Sequence, residues 1–169
     1  MRKGLILQNA LMIAISFIAG VACYQLFELK DAKRLISMID SRILADSLPT
    51  LTSSIIPLAI SIVIVLLFAT HPYVSSIAKI FIAMKMTFFG FSSVYLLAQK
   101  NALLAYGAWW FPFQFIYAIL LLLICESIIH NNKIHRKKGF LPFKQLLVLI
   151  IFIILIFIVE LFVISYIFK

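Results

Sequence analysis

Charge is what this chain has least of: 12% of its 169 residues are Asp, Glu, Lys or Arg, and only six are acidic. Against that stand 64% hydrophobic residues and a mean hydropathy of +1.14. A soluble globular domain carries about 25% charged residues, so a water-soluble domain is excluded. The two cysteines, Cys23 and Cys125, lie in separate apolar runs. They are too remote in position to imply a disulfide or a metal motif, form no CxxC, and read as small apolar fillers. Five glycines and five prolines leave long stretches without a break. No HExxH, GxSxG or P-loop occurs, and His130 and His135 fall in a cationic stretch with no carboxylate beside them. The sequence therefore calls for no catalytic residue, no metal and no cofactor. An intramembrane enzyme would have to be built from Ser92 and Ser93, or from Glu126 and Glu160 as an acid pair, yet small hydroxyls in membrane helices more often serve packing and interhelical hydrogen bonds.

What is present is apolar length. Five stretches approach or exceed the roughly 20 residues that cross a hydrocarbon core: 5–27, 51–69, 77–97, 102–129 and 146–168. The expected fold is all-α, a single polytopic membrane domain over 1–169 with five transmembrane helices. Arg2 and Lys3 followed by an apolar run resemble a secretory signal, and 20–23 faintly resembles a lipoprotein processing site. The run is long for a signal core and no Leu stands three residues before Cys23, so a retained first span is expected.

Lys and Arg accumulate in cytoplasmic loops close to membrane spans. Arg2 and Lys3 precede the first span, and Lys133, Arg136, Lys137, Lys138 and Lys144 crowd the last loop, 130–144, with no acidic residue. Both segments belong inside. In the first loop Lys30, Lys33, Arg34 and Arg42 balance Glu28, Asp31, Asp40 and Asp46, which suits the outer face. The expected orientation is N-inside/C-outside in a bacterial cytoplasmic membrane. The net charge of +9 reads as a topology signal that also attracts anionic lipid, not as a nucleic-acid footprint.

In that first loop Leu29, Ala32, Leu35, Ile36, Ile39 and Ile43 recur at three- and four-residue steps among charged positions. The spacing predicts an amphipathic helix over 29–46, ending near Pro49 and lying on the outer surface. Pro57 and Pro112 fall within spans and are expected to disturb them. His71 and Pro72 read as a turn, and Tyr106, Trp109 and Trp110 as an interfacial aromatic belt.

Lys85 stands near the middle of the third apolar run. A charge at the centre of a spanning helix costs roughly 2.5 to 3.5 kcal/mol and calls for a partner or a wet cavity. Counted at about 1.5 Å per residue, Lys85 lies ~14 Å in from Ser76 and Glu160 ~24 Å in from Lys144, a gap that a long Lys stem narrows. Depth permits a Lys85–Glu160 pair, and equally a second pair between Lys79 and Glu126.

The residues 85–91, KMTFFGF, then 95–99, YLLAQ, and 111–114, FPFQ, resemble the stage II sporulation protein M (SpoIIM) family. Lys85, Gly90, Phe91 and Pro112 match its pattern, whereas Met86 replaces a Gly and Gln114 comes one residue late. Glu160 corresponds to an acidic residue of the family's last span, and Phe17 and Gly20 extend the likeness to the first. The resemblance covers roughly 77–169 and implies five spans and a scaffolding role. The sporulation member recruits peptidoglycan-degrading partners during forespore engulfment. Shorter relatives are encoded beside circular bacteriocins and ABC transporters and implicated in maturation, export or immunity; the length and low glycine content of this chain favour that setting. The expected function is a non-catalytic accessory subunit of an envelope or peptide-export machine. Its partners would be membrane lipids and other membrane proteins, among them an ABC transporter ATPase or permease, a precursor peptide or a second copy of the chain. Leu29, Arg34 and Ile36 outside, and Arg136, Lys137 and Lys138 inside, are the expected contact residues. The rival expectation is a small transporter or pore using Lys85 and Glu160.

Overall fold

The structure, a computed structural model, describes residues 2–44, 50–71, 73–99, 103, 106–134 and 143–167. Among the described residues there are six α-helices and no strand. They are α1 (Arg2–Tyr24), α2 (Leu29–Ile39), α3 (Leu51–Thr70), α4 (Ser75–Ala98), α5 (Phe111–Ile134) and α6 (Phe143–Ile167). A short 3-10 turn, Ser41–Leu44, follows α2, and a π turn, Tyr106–Trp110, leads into α5. All but α2 are long and apolar enough to cross a membrane.

Side-chain contacts establish how the helices run. Phe17 of α1 packs on Phe89 of α4 with ring centroids 5.1 Å apart, while Asn9 of α1 and Lys79 of α4 both reach Glu126 of α5. Helices α1 and α4 are therefore parallel, and their N-terminal halves lie beside the C-terminal half of α5. The reason α1 and α4 come so close is glycine. A Cβ on Gly20 would overlap the Thr87 carbonyl, and one on Gly90 would overlap the Phe17 carbonyl. Backbones meet directly at this reciprocal crossing, which is how small residues bring membrane helices together when no hydrophobic force separates helix from lipid. Phe91 caps the same contact, edge-on to Tyr24 and Phe27 at 5.2 and 5.5 Å.

Burial divides the bundle into centre and rim. Half of the apolar window of α4 and 44% of that of α5 are buried, against 11% for α1 and 17% for α3 and α6. Thus α4 and α5 form the core, around which the other three spans are arranged with most of their apolar surface outward. Several hydroxyls within the spans are satisfied locally, whereas the buried Ser54 hydroxyl of α3 has no hydrogen-bond partner among the described residues. Ser61 donates to the Pro57 carbonyl, Thr87 to Ala83, Ser93 to Phe89, and Ser92 to Phe88 and Phe89.

Several local expectations change. The helix after α1 stops at Ile39, because Asp40 turns extended (φ −151°, ψ 94°) and its carboxylate accepts the Arg42 backbone N–H. Residues 45–49, the end of the predicted 29–46 helix, lie outside the described residues. Trp109 and Trp110 are each 1% exposed, which places them in the core and not in an interfacial belt. Pro112 sits at the junction between the π turn and α5. A proline ring clashes with the carbonyl four residues earlier in an α-helix, and a wider turn there relieves that contact. The turn between α3 and α4 includes His71, Tyr73 and Val74, with Pro72 outside the described residues.

Candidate functional site

The most unusual chemistry of this chain surrounds Glu160, a carboxylate with 0% exposure on α6. Three elements converge on it. From the π turn, the Trp109 indole N–H donates to Oε1 at 2.9 Å; from α5, the Tyr117 hydroxyl donates to Oε2. From the 3-10 turn, Arg42 donates through Nη1 to Oε1 at 3.0 Å. Asp40 then grips the same guanidinium from its other edge, with Nε to Oδ1 at 2.8 Å and Nη2 to Oδ2 at 2.7 Å. The Arg42 guanidinium also lies 5.8 Å from the centroid of the Trp109 ring. Exposure is 4% for Arg42 and 6% for Asp40, so a loop ion pair has been drawn into the bundle.

This arrangement is chemically closed. Both oxygens of Glu160 are occupied, and both edges of the guanidinium fork bind carboxylate. Burial alone would lower the Arg42 pKa, but the hydrogen bond and field of Asp40, with the field of Glu160, outweigh it and raise the pKa above its ordinary value. Asp40, Arg42 and Glu160 together carry one net negative charge. Lys85 lies within electrostatic range of all three.

Lys85 and Glu160 form no hydrogen bond or ion pair among the described residues, so the pairing that depth permits is not the one made. Lys85 Nζ instead donates to Ser61 Oγ of α3 at 2.8 Å. The physical reason is that Arg42 reaches Glu160 first, with a fork that matches carboxylate geometry. A serine beside a lysine is also a nucleophile and base pairing used in acyl transfer. Here the Ser61 hydroxyl proton goes to the Pro57 carbonyl, and Ser61 is 3% exposed.

A second polar centre lies near the opposite end of the bundle. Lys79 and Glu126 form an ion pair with side chains 26% and 18% exposed, and Asn9 donates to the same Glu126 oxygen at 3.1 Å. Glu126 is nine residues from Tyr117 on α5, about 13 Å along the axis, so Glu126 and Glu160 are not the acid pair considered from sequence. Ser92 and Ser93 donate to carbonyls of their own helix. Among the described residues no group of three or more His, Cys, Asp or Glu is placed to hold a metal.

Of the residues on which the expected likeness is based, Gly90 and Phe91 meet α1, Pro112 lies in the first turn of α5, and Gln114 lies half-buried on α5. Leu29 and Arg34 are exposed, but Ile36 has 0% exposure and packs within the chain, which removes it from a contact surface. Arg136, Lys137 and Lys138 lie outside the described residues. Asn9, Asp40, Arg42, Trp109 and Tyr117 were missed as site residues. One signal was available for Asn9, a lone amide in an apolar run, and another for Arg42, a cation beside Ile43 on the predicted apolar stripe. Comparison with protein families, with curated proteins and with solved structures finds no match.

Proposed function

We propose that this chain is a non-catalytic membrane scaffold, an accessory subunit of a cell-envelope or peptide-export machine in a bacterial cytoplasmic membrane, with its N-terminus inside and its C-terminus outside. The observation that carries this reading is the closure of the Glu160 cluster. Its charges are spent on one another and on tying the loop before α3 to α5 and α6, as expected of a structural clasp. A transport path would need such groups to face water or exchange partners. The outward apolar faces of α1, α3 and α6 supply membrane-embedded surface for neighbouring spans. In the N-inside orientation α2 becomes an amphipathic helix on the outer surface, with Ala32 and Ile36 against the protein and Lys30, Arg34 and Leu29 displayed.

Bacteriocin maturation, export or immunity is the favoured setting, and a SpoIIM-type organiser of peptidoglycan-degrading partners is the second. Both draw support from the resemblance residues Gly90 and Phe91, which lie at the α1–α4 crossing together with Gly20 and Phe17. Purification of the tagged protein from native membranes in mild detergent tests the scaffold role. A stoichiometric membrane partner, such as an ABC transporter subunit or a precursor peptide, is the expected result. Recovery of the protein alone, or only with its own copies, would contradict it.

A further inference from the structure

A lateral groove of about 620 Å³ runs between α1 and α5, floored by Met86 and Phe89 of α4. That is within the range of roughly 300–1,000 Å³ typical of ligand clefts. One end is apolar and aromatic, formed by Phe17, Phe89, Phe111 and Phe115; towards the other end lie Asn9 and Glu126, with Leu5 and Ile6 beyond them and Lys79, outside the lining, bound to Glu126. Phenylalanine rings and branched aliphatic chains dominate its walls. Ala10 and Ala14 are the small residues of the α1 wall. An apolar surface of this kind accepts a flexible hydrocarbon chain.

The polar end is half used. Asn9 and Lys79 both engage Oε1 of Glu126, leaving Oε2 with no partner among the described residues. An ammonium has three donors, and Lys79 spends one on Glu126. The site thus presents a remaining anionic acceptor next to remaining cationic donors, a pattern complementary to a zwitterion carrying N–H donors. We infer that this groove is a specific phospholipid site: one acyl chain lies along α1 and α5, and a phosphoethanolamine headgroup places its phosphate at Lys79 and its ammonium at Glu126.

Native mass spectrometry of the intact protein in detergent tests this, with dioleoyl phosphatidylethanolamine, phosphatidylcholine and phosphatidylglycerol added in turn. One strongly retained ethanolamine lipid is expected, preferred about fivefold over the other two, since choline offers no N–H and glycerol no cation. Glu126→Gln should equalise the ethanolamine and choline lipids without abolishing binding. Ala14→Trp, at an exposed position lining the groove, should lower occupancy by about tenfold, whereas Leu155→Trp on the outward face of α6 should not. The Ala14 variant leaves the ion pair intact, so it remains informative if the Glu126 variant melts early. Equal binding of all three lipids with no effect of Ala14→Trp would reduce the groove to ordinary annular contact and overturn the proposal. A preference for phosphatidylglycerol that survives Glu126→Gln would also overturn it, as would a co-purifying peptide in place of lipid.

Discussion

At the scale of single residues, Arg42 controls more than Lys85. A cation at 4% exposure that bridges two buried carboxylates cannot be removed without leaving both uncompensated. Arg42→Ala is expected to destabilise the protein by about 3–5 kcal/mol, the usual consequence of breaking a buried pair from one side. Reversible unfolding in mixed detergent measures it. The double variant Arg42→Met with Glu160→Gln should lose less than the sum of its single changes. Tyr117→Phe keeps the ring and removes one hydrogen bond to a charged oxygen, so a loss of about 1.5–3 kcal/mol is expected in the same experiment. Lys85→Met should cost less than Arg42→Ala, because the hydrogen bond it gives up is to Ser61, which keeps its own bond to Pro57. A larger effect for Lys85 than for Arg42 would reverse this ranking.

At the scale of elements, the decisive contact is the Gly20–Gly90 crossing. A methyl group at either position meets a carbonyl of the facing helix, and backbone has little room to yield. Gly20→Ala and Gly90→Ala should each destabilise by about 1–3 kcal/mol through overpacking. Gly4→Ala, where a Cβ meets nothing within 4 Å, should be neutral or slightly stabilising. Unfolding midpoints of the three variants, compared under one condition, check this. Helices such as α3 and α6 were legible because hydropathy alone marks a segment long enough to span. Lys85 was legible as an anomaly, but its neighbour was not. Depth counting ranks only residues within spans, whereas Arg42 enters from a loop, and no periodicity announces that a 3-10 turn will fold inward. Trp109 was misplaced for a related reason: an aromatic near the end of an apolar run suits either an interface or a core, and only the carboxylate of Glu160 on another helix decides which.

At the scale of the whole molecule, the Lys and Arg distribution predicts a definite topology. Single cysteines placed in a background lacking Cys23 and Cys125 test it. A cysteine at position 137 should react with an impermeant thiol reagent only after the inner face is opened, and one at position 30 should react in intact cells. The reverse pattern would invert the orientation and with it the partner surfaces. The larger claim is that charges buried in this bundle hold its architecture and do not conduct. Proteoliposomes containing purified wild type and Glu160→Gln test it most directly, with proton and ion flux recorded under an imposed gradient. If the charges are architectural, wild type passes no more than empty liposomes, and Glu160→Gln changes only the unfolding midpoint. Wild-type flux that disappears in a Glu160→Gln protein of unchanged stability would contradict that role.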